Sequence, residues 1–179
     1  MLQQKVIQRI LGFIALFAFI VIAMGVDTVG FVNSESALLV LGVLVGNIFL
    51  GGGSIGRMYK AAVSANNTVD ELIAAINDFK LARYSSVVGG FVNVGFGSCI
   101  IFQEMHDPAK IGPGMALGLI GFLYALVLYG LFLANQFVVE DHVGERNQEN
   151  LMWSATVLAL SALALGVGVL TFILFTLST

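Results

Sequence analysis

Hydrophobic residues fall into five long runs along the chain, at about residues 10–26, 38–55, 84–102, 111–139 and 151–177, with polar stretches between them. Each run reaches the roughly 17 residues a helix needs to cross a bilayer core. The pattern predicts an all-α, polytopic membrane protein with about five transmembrane helices and its two termini on opposite sides. Its expected organisation is a first transmembrane hairpin at 1–56, a short loop at 57–83, a second hairpin at 84–140 and an additional helix at 151–179. The connections at 27–37, 104–110 and 140–150 are short, whereas 57–83 is long enough to hold structure of its own.

Within that longer connection, Thr68-Val69-Asp70-Glu71 has the spacing of a capping box, and Leu72, Ile73, Ile76 and Phe79 follow at helical intervals. A short amphipathic helix is expected to begin at Val69 and lie against the membrane or a neighbouring subunit. Gly51-Gly52-Gly53 is expected to loosen the end of the preceding span, because glycine relaxes backbone constraint. Lys5 and Arg9 before the first run resemble the charged start of a signal peptide. The run is nevertheless span-length and no small-x-small cleavage site precedes Asp27, so it reads as a retained helix.

Composition agrees with lipid as the solvent: 58% of residues are hydrophobic, 11% are charged and the mean hydropathy is +0.95. With so few ionisable groups and a net charge of −3, no basic patch could neutralise a run of phosphates, so nucleic acid is not an expected partner. If the helices alternate, Lys5, Arg9, Arg57, Lys60, Lys80, Arg83 and Arg146 share one side and only Lys110 lies opposite. The positive-inside rule then places the N-terminus in the cytoplasm and the C-terminus outside. On that side the Asn66-Asn67-Thr68 sequon carries no weight.

Candidate chemistry is sparse. No Asp, Glu, Lys, Arg or His sits in the middle of a predicted span, where such residues would mark a proton relay. His106 and His142 fall in opposite connections, and no nucleophile–base pair or metal-spaced set converges, so neither catalytic nor metal-binding residues are expected. The lone Cys99 excludes an internal disulfide and reads as a small packed residue. Uncharged polar groups occur in the spans at Asn47, Asn93, Ser98, Asn135 and Gln136, where interhelical hydrogen bonding is the ordinary role. Asn93 is the exception, on a glycine-rich helix that could face a lumen. Small residues recur at Gly42/Gly46, Gly90/Gly95/Gly97, Gly114/Gly118/Gly121 and Gly166/Gly168, a spacing that lets helix backbones approach closely in lipid, within one chain or between subunits. Pro113 is expected in the first turn of its helix, where a missing N–H costs nothing. The 111–139 run is long for one bilayer and could project beyond it.

One stretch carries a resemblance. Residues 103–124 read Gln-Glu-Met-His-Asp-Pro-Ala-Lys-Ile-Gly-Pro-Gly-Met-Ala-Leu-Gly-Leu-Ile-Gly-Phe-Leu-Tyr. This resembles the third-to-fourth helix junction of the MotA/TolQ/ExbB proton-channel family, most closely its flagellar-stator branch, at Asp107-Pro108, Ile111 to Ala116 and Leu123-Tyr124. Phe31-Val32-Asn33, Ser36 to Gly42 and Gly46 are similar to the family's first hairpin, and the whole resemblance covers about residues 8–60 and 84–140.

The resemblance implies a homo-oligomeric ring, a pentamer, in a bacterial inner membrane. The ring would enclose a single-span partner of the MotB/ExbD/TolR type that carries the essential acid, and proton or sodium flow would drive it. It places Asn93, Val94, Ser98, Gly118, Gly121 and Phe122 toward the lumen and the partner, while Gly42, Gly46, Gly90, Gly97, Pro113 and Gly114 are expected to serve helix packing. The chain departs from the family in three ways. The rotor-engaging cytoplasmic region shrinks to 57–83, which implies a non-flagellar task. The family's third-helix proline and threonine become Val87 and Val94, and its fourth-helix threonine pair becomes Gly121-Phe122. Residues 151–177 add a helix, which should pack outside a ring because a lumen sized for two helices cannot hold five copies. The missing hydroxyls and short loop favour an alternative, a non-conducting structural or scaffold membrane protein derived from the same family. A small-solute carrier ranks third, since paired inverted repeats with broken helices are lacking.

Overall fold

The computed structural model describes residues 12, 33–64 and 66–144. The predicted span at 151–177, and that at 10–26 apart from Gly12, lie outside the described residues. Within them the chain is helical throughout, with α1 at Ser34–Leu50, α2 at Ile55–Val63, α3 at Val69–Gln103 and α4 at Pro108–Val143. Two helices are long and apolar enough to cross a membrane, at Val69–Gln103 and Ile111–Val143, and α1 with α2 makes a third if that bent pair counts as one span. These two or three candidate spans are consistent with a membrane protein.

Helices α1, α2 and α3 each begin where a side chain can satisfy free N–H groups. The Asn33 side chain accepts from the Ser36 amide at 2.9 Å, Ser54 accepts from Arg57, and Thr68 and Glu71 form the reciprocal capping box. At the other end of α1 the three glycines build a defined corner where loosening was expected. Gly52 takes φ +71°, the Gly53 amide donates to the Ile48 carbonyl at 2.8 Å and the Gly52 amide to that of Phe49 at 3.1 Å. This is a Schellman stop, and only glycine adopts its left-handed residue without cost. Past the corner the chain turns by 95° into α2.

The short helix expected at Val69 begins there but does not stop. No proline or glycine interrupts residues 69–88, so the chain runs unbroken from the capping box through the apolar stretch to Gln103. At 1.5 Å per residue, α3 and α4 are each about 50 Å long against a hydrocarbon core of about 30 Å. The segment at 69–83, which reads as part of a loop, is therefore helix projecting past the apolar stretch, beside the C-terminal end of α4. Helix α4 opens at Pro108, so Pro113 lies in the second turn, not the first.

Helices α3 and α4 form an antiparallel hairpin with α1 laid against it. Ser36, Val40, Leu44 and Ile48 make a single buried stripe at four-residue spacing on α1. At the projecting end Leu44, Ile48, Met58, Ile76, Phe79, Ala82 and Val139 form a core that fastens α2 to the other three helices.

Candidate functional site

The α3–α4 contact is built on glycine. A Cβ added at Gly97 would collide with the Gly114 carbonyl and stand 3.0 Å from the Gly118 amide nitrogen, and one at Gly90 would lie 2.8 Å from the Ala125 Cβ. At Gly114 an added Cβ would meet Ile101 at 2.9 Å, and at Gly118 the Val94 Cα at 3.3 Å. Gly90, Gly97 and Gly114 thus stand where α3 and α4 approach most closely, inside one chain. Gly42 and Gly46 behave differently. A Cβ at either meets nothing within 4 Å among the described residues, because both lie off the buried stripe of α1. The close approach of α1 to α3 comes instead at Gly89, where a Cβ would stand 3.1 Å from the Val40 carbonyl oxygen.

The six residues expected to face a lumen separate into two groups. Asn93 is wholly buried: its Nδ2 donates to the Ser36 carbonyl at 3.0 Å, its side chain fills the space a Cβ at Gly121 would need, and its Oδ1 has no partner among the described residues. Gly118, Gly121 and Phe122 are buried in the same seam, Phe122 beneath Phe91 in an edge-on ring contact of 5.7 Å. Val94 and Ser98 lie on the outer side of α3, the Ser98 hydroxyl donating back to the Val94 carbonyl at 2.8 Å. Val94 is exposed and Ser98 half-buried, and the exposed Tyr84, Val88, Phe91 and Phe102 are spaced along the same side of the helix. One residue of register, 100° of rotation, separates the inward Asn93 from the outward Val94.

Compared with models of known families, with curated proteins and with solved structures, the chain finds no match.

Ser36 ties the three apolar helices together. Its hydroxyl donates to the Leu117 carbonyl at 3.0 Å while its own carbonyl takes the Asn93 amide, and just above it the Asn33 amide donates to the Tyr124 hydroxyl at 3.0 Å. The two stretches that carry the family resemblance, around residues 33–42 and 107–124, therefore meet in space.

Charged groups gather at the projecting end. Arg57 makes a two-pronged pair with the buried Asp78, Nε to Oδ2 at 2.5 Å and Nη2 to Oδ1 at 2.9 Å. Lys60 donates to Glu71 at 2.7 Å, and that bond, with a second from the Thr68 amide, holds the Glu71 carboxyl below its ordinary value in the part of α3 beyond the apolar stretch. Arg83 is buried between the rings of Tyr84 and Tyr129, 5.2 and 5.4 Å from their centres. Glu140, which reads as the start of a connection, is instead helical and buried, accepting from Gln136 at 2.7 Å. The four-residue spacing of Gln136 and Glu140 was the available sign that the helix continues.

Proposed function

We propose that the chain is a MotA-like inner-membrane subunit that assembles into a ring around a single-span partner and couples proton or sodium flow to a non-flagellar task. The observation that carries this reading is the meeting of the two family-like stretches through Asn33, Ser36, Leu117 and Tyr124, which makes the resemblance a property of one packed unit. Two further features support it. Helices α3 and α4 project past the apolar stretch, and α3 offers an outer face on which Val94 and Ser98 would meet the partner. In this arrangement Arg57, Lys60, Lys80 and Arg83, grouped at one end, lie on the cytoplasmic side.

A second reading, a non-conducting scaffold that kept the helical hairpins for assembly, is favoured by the inward placement of Asn93, which leaves the outer face of α3 largely apolar and aromatic. Mass and stoichiometry of the complex, purified in mild detergent from its native membrane, separate the two. Several copies around a pair of single-span proteins are expected, with function lost when the partner's membrane acid is replaced. A ring without a partner, or a chain fully active alone, would overturn the ion-driven reading.

A further inference from the structure

Helix α2 carries an apolar stripe that nothing among the described residues covers. Ile55, Tyr59 and Val63, spaced four residues apart along one side, are 46%, 69% and 54% exposed. Another side of the same helix is fastened down by Met58 in the core, and Arg57 and Lys60, turned away from the stripe, are held by Asp78 and Glu71. The stripe is therefore fixed in direction as well as exposed.

We infer that α2 is a membrane-surface helix whose Ile55, Tyr59 and Val63 stripe is seated in the boundary between lipid headgroups and acyl chains. Its position follows from what precedes it. Helix α1 has 17 residues, about 26 Å, close to the thickness of a hydrocarbon core, so Leu50 ends at the bilayer boundary when α1 crosses. The glycine corner then turns the chain by 95°, which lays α2 along the boundary instead of carrying it into water. Exposed apolar residues stand on both sides of the corner, Phe49 at 69% and Leu50 at 88% exposed before it and Ile55 and Tyr59 after it. Tyrosine supplies an apolar ring and a polar hydroxyl to such a boundary, and a helix apolar on one side and charged on another lies in it by preference. The inference requires a bilayer but no ring, so it stands or falls apart from the proposed assembly.

The test uses the full chain with Cys99→Ser, single cysteines introduced as Tyr59→Cys, Val63→Cys or, for comparison on the exposed outer side of α3, Asn77→Cys, each carrying a nitroxide label. In mixed phosphatidylethanolamine–phosphatidylglycerol vesicles, labels at positions 59 and 63 should collide more with oxygen, which concentrates in lipid, than with a water-soluble nickel chelate. The label at 77 should show the reverse. Labels at 59 and 63 as open to the chelate as that at 77 would overturn the inference in favour of a water-exposed helix. Shielding from both reagents would overturn it in favour of burial against protein.

Discussion

Between Gly90 and Gly121 the α3–α4 hairpin is held by backbone against backbone, while past Ala82 the same two helices are held by side chains: Met58, Ile76, Phe79 and Val139 in a core, with Arg57 and Asp78 beside it. The difference follows the solvent. Where lipid surrounds the helices no hydrophobic effect drives them together, because tails are as apolar as leucine, so close contact through small residues and a few hydrogen bonds must hold them. Beyond the apolar stretch, burying large side chains away from water becomes the available force, and charges can be placed around it. One continuous pair of helices thus changes its mode of association along its length.

The comparison breaks most severely at Gly97. A side chain there meets main-chain atoms of α4, which cannot step aside, so Gly97→Ala should destabilise by about 1–3 kcal/mol and Gly97→Val should prevent recovery of a monodisperse chain. Gly42→Ala, with open space before it among the described residues, should be neutral or gain about 0.5–1 kcal/mol from helix propensity. Thermal unfolding of the three variants in one detergent checks the contrast. Equal responses at positions 97 and 42 would mean that the seam is not where stability resides.

At the projecting end the corresponding change is Arg57→Ala, which leaves the Asp78 carboxylate buried without its cation. Breaking a fully buried pair costs about 3–5 kcal/mol, but the Arg57 side chain is 38% exposed and water can enter in its place, so about 1–2 kcal/mol is expected. Unlike the seam variants, this loss should be confined to α2. Hydrogen exchange should quicken in residues 55–63 with little change in residues 90–103, and uniform quickening would show that the two ends are not separate.

How much of this was legible beforehand depended on which signal the chain had to send. One helix start was readable, because Thr68 and Glu71 announce it through local chemistry that no distant contact overrides, whereas the caps at Asn33 and Ser54 went unread. Helix ends and faces were not. Asp78, Lys80 and Arg83 interrupt the hydropathy of α3 and gave residues 69–83 the look of a loop, although nothing there breaks a helix. The amphipathic helix in this region is α2, whose nine residues are too few to stand out in a hydropathy pattern. The faces of α3 and α4 were hidden for another reason: a helix apolar on all sides has no polar stripe to reveal its inward direction. Hence Asn93, Gly118, Gly121 and Phe122 were grouped with Val94 and Ser98, although four of the six stand in the seam.

The inward direction of Asn93 makes the smallest prediction and the most discriminating one. Asn93→Ala removes the hydrogen bond to Ser36, worth about 0.6–2 kcal/mol in a membrane, and leaves space over Gly121. Gly121→Ala alone should also destabilise, because its methyl group needs the volume the asparagine occupies. Together the two changes should cost less than their sum, since the new methyl enters the space the shortened side chain vacates. Residues in direct contact show such non-additivity, commonly by 0.5 kcal/mol or more, whereas independent sites add. Ser98→Ala serves as the outward control and should change stability by less than about 0.5 kcal/mol. Simple additivity of the Asn93 and Gly121 variants in thermal unfolding would return Asn93 to an open face. A clear shortfall would keep Asn93 in the seam, packed over Gly121.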